Sequence, residues 1–301
     1  MFKKSTWLHL RIPFSYFLLP IYFFGISISP NLSEPSLLWI FVILHLLIYP
    51  ASNAFNSYFD KDEKSIGGLK NPPPVDRNLL YMAWLFDIIG IALSIWQFKN
   101  NWTLTLMLLV YILVSRAYSH PTIRLKKYAF LSWFIAGLFQ GAWVVWIIYI
   151  GLNNFEFSHI LKPHVLIPGL LASVILWGAY PMTQIYQHEE DTKRDDKTLS
   201  IKLGIKGTFL FTAFFFVMAS VLYFFYFDIY HQTKYGWTFI LAMIPIVLFF
   251  VGWFLAVLKN EDKANYKNTM WLNFISATCL GGFFLYFFLN STNILTAVGQ
   301  Y

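Results

Sequence analysis

Charge is scarce in this sequence. Only 12% of its 301 residues are charged, about half the roughly 25% of an ordinary soluble domain, too few to cover a water-facing surface. Cysteine is nearly absent. The lone Cys279 excludes an intramolecular disulfide framework and a cysteine-based zinc site. Glycine and proline are low, at 16 and 13 residues, which excludes a collagen-like chain. Sustained period-two alternation is missing too, which argues against an outer-membrane barrel. What the chain has in quantity is apolar: 57% hydrophobic and 21% aromatic residues. That content excludes a disordered chain.

Backbone in hydrocarbon must satisfy its own hydrogen bonds, so apolar runs of roughly 17–25 residues suit spanning helices. Nine such runs are present, at 13–29, 37–58, 79–98, 102–118, 129–150, 165–186, 207–227, 235–258 and 271–289. They predict an all-α membrane protein, with 1–301 as a single polytopic domain. The net charge of +7 is not a nucleic-acid signal here, because the bases lie in short loops between apolar runs. Of the 22 Lys and Arg, only Lys99, Lys162 and Lys234 fall in loops after the third, fifth and seventh runs. The positive-inside rule then puts the N-terminus in the cytoplasm and the C-terminus outside. A multi-pass protein of a bacterial inner membrane is the expectation. The first run follows Lys3, Lys4 and Arg11 like a signal peptide, but its Ser-Ile-Ser-Pro end is a poor cleavage site, and an uncleaved span is preferred.

The acids are gathered. Two segments at the cytoplasmic ends of the second and sixth runs hold most of them: Asn53 to Lys64, with Asn56, Asp60, Asp62 and Glu63, and Gln184 to Lys197, with His188, Glu189, Glu190, Asp191, Asp195 and Asp196. If both stay helical, Asn53, Asn56 and Asp60 share one face, and Gln184, His188, Asp191 and Asp195 share another. Two facing lines of oxygen ligands would suit a hard cation such as Mg²⁺, which takes one or two carboxylates and leaves positions for phosphate. The same residues also fit a solvated, charge-mixed loop. Asn53, Asn56 and Gln184 favour the site, because unpaired polarity at the edge of an apolar run is costly. A third loop, Arg116 to Tyr128, carries Arg124, Lys126 and Lys127 and no acid. It suits a diphosphate and equally a positive-inside anchor. Asp87 and His45 lie within apolar runs, where ionisable groups default to function or to interior pairing.

These motifs resemble the UbiA-type intramembrane prenyltransferases. Asn53, Asn56 and Asp60 match the first family signature, and Lys70-Asn71-Pro72 resembles the turn after it. Asp191 matches the last acid of the second signature, and Lys197-Thr198-Leu199 through Gly204 matches the stretch beyond that acid. Tyr118-Ser119 through Lys127 resembles the basic loop of several branches, and Arg11-Ile12-Pro13 resembles the family's start. The resemblance covers nearly the whole chain. It implies nine helices as two packed four-helix bundles plus one, and transfer of a polyprenyl group from its diphosphate to a lipophilic acceptor (a quinone precursor, carotenoid or lipid), assisted by Mg²⁺. It implies Asp60, Asp191 and Lys126 as catalytic, and Asn56, Asp60, Asp62, Asp191 and Asp195 as metal ligands. Asn53, Lys64, Arg124, Lys126, Lys127 and Lys197 would bind diphosphate, and Tyr58, Tyr118, Gln184 and His188 would line the cavity. Ser57, Lys64, Gln184 and His188 stand where the family signatures carry acids, so the second metal shell is thinner than the pattern. A non-catalytic isoprenoid-binding relative and a membrane transporter are the competing readings.

Overall fold

A computed structural model describes residues 3–292 and 294. Nine helices among them are long and apolar enough to cross a membrane: α1 Lys4–Ser27, α2 Glu34–Asp60, α3 Arg77–Gln97, α4 Trp102–Ser119, α5 Ala129–Asn153, α6 Pro163–Gln184, α7 Leu199–Tyr230, α8 Thr233–Lys259 and α9 Tyr266–Ser291. No strand occurs among the described residues. The tail beyond α9, expected to lie outside, falls largely outside the described residues.

Helix starts follow their caps, which satisfy otherwise orphaned N–H groups. The Asp76 side chain accepts from the Asn78 amide at 2.9 Å ahead of α3. Asn101 does the same for Leu104 at 3.0 Å ahead of α4, and Asn265 for Asn268 at 3.1 Å ahead of α9. The first helix begins earlier than its apolar run predicts. Its polar first turns are held by tertiary contacts: a 2.7 Å hydrogen bond joins His9 Nε2 to the Pro73 carbonyl, and Leu10 is buried with Phe55, Leu79 and Met82.

Helices neighbouring in sequence pack on each other from α2 round to α9, and α9 closes against α1. At that seam Phe24 stacks on Phe284 with ring centroids 4.7 Å apart, and Tyr16 meets Thr278 through a 2.8 Å hydrogen bond. The outer faces carry exposed Leu38, Ile88, Leu113, Phe214, Val217 and Leu248. Apolar cover this continuous is a lipid-facing surface, not a water-facing one.

Three helices are irregular. In α2 the turn Val42–Ile48 is π-helical, just ahead of Pro50, which has no N–H to give the preceding turn. In α5 Gly141 breaks the helix. A Cβ there would lie 2.7 Å from the Ser173 backbone of α6, so only glycine allows this approach. In α7 Gly204 has φ +69°, a conformation glycine adopts without penalty. Between α3 and α4, buried Asp87 forms an ion pair with half-buried Arg116. The Arg116 guanidinium also lies 4.2 Å above the Phe55 ring.

Candidate active site

Asn53, Asn56 and Asp60 lie on the last turns of α2, and all three face one cavity of about 270 Å³. Lys61 ends the helix in the left-handed region at φ 51°, so Asp60 is the last helical residue. A carboxylate at a helix C-terminus is disfavoured by the helix dipole. The basic loop compensates: Lys126 Nζ is 2.6 Å from Asp60 Oδ1. Among the described residues, buried Oδ1 meets no hydrogen-bond donor besides this ammonium. The loop is shaped by Arg124, at φ 46°, and a short 3-10 turn, Leu125–Lys127. The turn buries Lys126 and leaves Lys127 exposed.

The second acidic segment reaches the same cavity by another route. Helix α6 ends at Gln184, and a separate short helix, His188–Lys193, comes after it. The single helical face expected over Gln184, His188, Asp191 and Asp195 therefore does not form. Gln184 and Asp191 face the cavity. His188 turns away to a 2.7 Å hydrogen bond with Ser200 Oγ, and burial lowers its pKa. Asp195, at φ 57°, makes the turn after the short helix and is exposed. The same turn folds Asp196 back, with its amide donating to the Asp191 carbonyl at 2.9 Å. Burial pushes the Asp191 carboxyl up to about 6, against the pull of Lys126 and Arg194.

Two residues outside the expected site hold the three segments together. The Asp196 side chain is fully buried; it accepts Arg124 Nε and Nη2 at 2.8 and 2.9 Å and lies 3.1 Å from Lys126. Arg194 touches both acidic segments. It pairs with Asp62, donates from Nη1 to the Asp60 carbonyl at 3.0 Å and reaches Asp191 at 3.4 Å. Arg11 lines the cavity from α1, held at the Gly67 carbonyl at 3.0 Å and the Asn53 carbonyl at 3.1 Å. Spacing carried a trace of Arg194, which sits three residues after Asp191. Nothing local distinguished Asp196 from Asp195.

Of the expected residues, Asn53, Asn56, Asp60, Asp62, Lys126, Tyr118, Gln184 and Asp191 line the cavity. Lys64, Arg124, Lys127, Lys197, Asp195, Tyr58 and His188 do not line it. Lys64 is exposed and pairs with exposed Glu189. Arg124 is engaged with Asp196. Lys127 lies over the Tyr128 ring at 5.0 Å, and exposed Lys197 shares a backbone bridge with Tyr128. Tyr58 packs in the apolar cluster of Leu10 and Phe55.

Deeper in the bundle the polar cavity adjoins an apolar pouch of about 180 Å³. Phe14, Tyr111, Gln140 and Tyr180 line both, and Phe17, Tyr49, Phe216 and Phe284 wall the pouch. The hydroxyls of Tyr118 and Tyr180 hydrogen-bond to each other on the polar side of this junction. A charged head and a long apolar tail fit such a compartment pair.

A family model for the UbiA prenyltransferase family matches residues 17–275. The chain belongs to the UbiA prenyltransferase family. Its fold is that of solved UbiA proteins. A UbiA homologue from Archaeoglobus fulgidus, bound to DMAPP and Mg²⁺, aligns at TM-score 0.68 and 15% identity, covering 96% of this chain and 99% of that one. The apo UbiA homologue from Aeropyrum pernix K1 aligns at 0.70 and 16%, covering 90% and 97%. A structure concerning digeranylgeranylglyceryl phosphate synthase aligns at 0.59 and 19%, covering 94% and 98%. No curated protein matches the sequence. The nine spanning helices among the described residues thus have the fold of a prenyltransferase family.

Proposed function

We propose that this protein transfers a prenyl group from its diphosphate to a lipophilic acceptor within the membrane. The observation that carries the reading is convergence. Asp60 and Asp191, from segments more than a hundred residues apart, line one cavity with Lys126, and an aromatic pouch opens from it.

The cavity residues fit magnesium held jointly with a diphosphate. Asp60, Asp62 and Asp191 line the wall, and buried Asp60 Oδ1 has no hydrogen-bond donor besides the Lys126 ammonium. No group of three or more His, Cys, Asp or Glu among the described residues could hold an ion unaided. Magnesium characteristically takes one or two carboxylates and completes its shell with phosphate and water. Asp60 and Asn56 would hold it from α2, and Asp191 from the short helix. Bound there, magnesium supplies Lewis-acid stabilisation of the leaving diphosphate. Lys126 moves from Asp60 to a phosphate oxygen and shares the charge that develops as the allylic C–O bond breaks. The pouch orients the prenyl tail. Its aromatic walls exclude water and face the allylic cation with their π-surfaces.

The bases cluster at the cavity end of the bundle, which supports a cytoplasmic site with the N-terminus inside. We read residues 1–301 as one polytopic unit of an inner membrane. Acceptor chemistry is that of a quinone precursor, carotenoid or lipid. A second reading, an isoprenoid binder without turnover, draws on the pairing of every cavity acid with a base: Asp60 with Lys126, and Asp62 and Asp191 with Arg194. The acids gather at one end of the bundle, not midway along it, which disfavours a transporter.

The test is purified protein in nanodiscs with labelled farnesyl or geranylgeranyl diphosphate and a panel of acceptors, with magnesium or EDTA. Magnesium-dependent diphosphate release, lost in Asp60→Ala and Asp191→Ala, is expected. Tight binding without release over the whole panel would favour the binder.

A further inference from the structure

Two side chains at the cavity contact acids of both acidic segments: Lys126, at Asp60 and Asp196, and Arg194, which alone of the two belongs to one of those segments and reaches Asp62 and Asp191. Arg194 Nη1 faces Asp62 and the Asp60 carbonyl, and its Nη2 faces Asp191. Glu190 lies 3.8 Å from Nη1 and Asp196 lies 3.7 Å from Nε. Nε itself is buried without a hydrogen-bond acceptor. The guanidinium therefore occupies the position from which a cation would bridge the two segments.

The surrounding sequence is short of acids at that place. Gln184, a neutral amide, faces the cavity from the end of α6, and His188 turns to Ser200. With burial lowering its pKa, the His188 imidazole adds neither negative charge nor a cavity-facing ligand. The second segment thus brings Asp191 as its one acid to the cavity wall, and brings its own positive charge three residues later.

We propose that Arg194 is a diphosphate-binding residue that takes the place of a second divalent ion, so that one metal ion, not two, accompanies each bound prenyl diphosphate. This rests on the prenyl-diphosphate reading above. In the ligand-free protein Arg194 neutralises Asp62 and Asp191. On binding, its planar fork meets phosphate oxygens, for which guanidinium is well matched, while Asp60, Asn56 and Asp191 would hold the single metal ion. The fixed cation holds the two segments in register before any ligand arrives, which lowers the ordering cost of binding.

The experiment counts metal ions instead of turnover. Full-length protein in nanodiscs is titrated with Mn²⁺ in the presence of S-geranylgeranyl thiolodiphosphate, an analogue that resists ionisation. Bound Mn²⁺ is read by electron paramagnetic resonance and analogue affinity by calorimetry. Wild type is expected to hold one Mn²⁺ per bound analogue. Arg194→Gln is expected to hold two, because Asp62, no longer paired, becomes free to take a second ion together with Asp191. At low Mn²⁺ it should bind the analogue roughly 10- to 100-fold more weakly, the range for losing a hydrogen bond to a charged group, and recover at high Mn²⁺. Arg194→Lys should keep a count of one. A purely structural arginine would alter melting temperature without altering the count. Two ions in wild type overturns the proposal, as does a count of one that persists in Arg194→Gln. If Arg194→Gln does not fold, the wild-type and Arg194→Lys counts still decide. Wild type that ignores the analogue at any Mn²⁺ concentration sinks the prenyl-diphosphate reading itself, and this inference with it.

Discussion

The two acidic segments reach one cavity but are built differently. The first is the end of a long membrane helix. Its residues Asn53, Asn56 and Asp60 are placed by helical periodicity, and its balancing charge, Lys126, comes from another loop. The second leaves the membrane at Gln184, restarts as a short helix and turns at Asp195. It carries its own cation, Arg194, and its own anchor, Asp196. A helix end presents ligands by geometry alone. A non-helical segment must be tied down by ion pairs, and buried ion pairs hold only when both members are present.

The largest effect that sharpens this contrast is expected at Asp60. Asp60→Asn keeps the shape and removes the charge, and product formation should fall by roughly 10²- to 10³-fold, the range for a single charge-stabilising group. Radiolabelled product assays measure it; an unchanged rate would break the comparison at its first member. Next comes Asp196→Asn, at a residue that stands behind the cavity wall and does not itself line it. It leaves Arg124 and Lys126 without their buried partner, a loss of about 3–5 kcal/mol for such pairs. Thermal unfolding in nanodiscs should register this as a clear drop in melting temperature. The same change at exposed Asp195 should not.

A smaller effect concerns pH. Asp191 titrates near 6 in the ligand-free fold because of burial, above the usual 3.9 of an unfolded aspartate. The folded state therefore binds the extra proton between about pH 4 and 6, and the stability contributed by this group falls as pH rises through that window. Metal binding must expel the proton, so divalent-ion affinity should rise with pH up to about 6, by at most tenfold per unit. Melting curves and Mn²⁺ titrations across pH 4.5–7.5 test both slopes, and Asp191→Asn should flatten the first. The smallest effect is at Lys64 and Glu189, exposed on both sides of their pair. Exposed pairs contribute little, so Lys64→Ala should leave melting temperature and rate within error.

Periodic features are legible in the sequence. Apolar runs locate the nine helices to within a few residues at most ends, because lipid demands uninterrupted apolar length. Helical spacing correctly puts Asn53, Asn56 and Asp60 on one face. It fails at His188 and Asp195 because the break at 185–187 resets the phase. The late start expected for the first helix comes from its polar opening turns, which fold through His9 and Leu10. Among the bases, composition cannot distinguish Lys126 from Lys127; a three-residue 3-10 turn decides which is buried. Asp196 is hidden for the same reason, since a single left-handed residue sends it inward and its neighbour outward.

The Asp87–Arg116 pair bears on how the chain enters its bilayer. A lone carboxylate near the middle of a spanning segment costs about 2.5–3.5 kcal/mol at insertion, and Asp87 meets its partner only 29 residues further along. Helix α3 emerges from the ribosome before α4 can neutralise it. Biogenesis therefore favours co-insertion of α3 and α4 as a hairpin, with the guanidinium of the trailing helix completing the leading one inside the lipid.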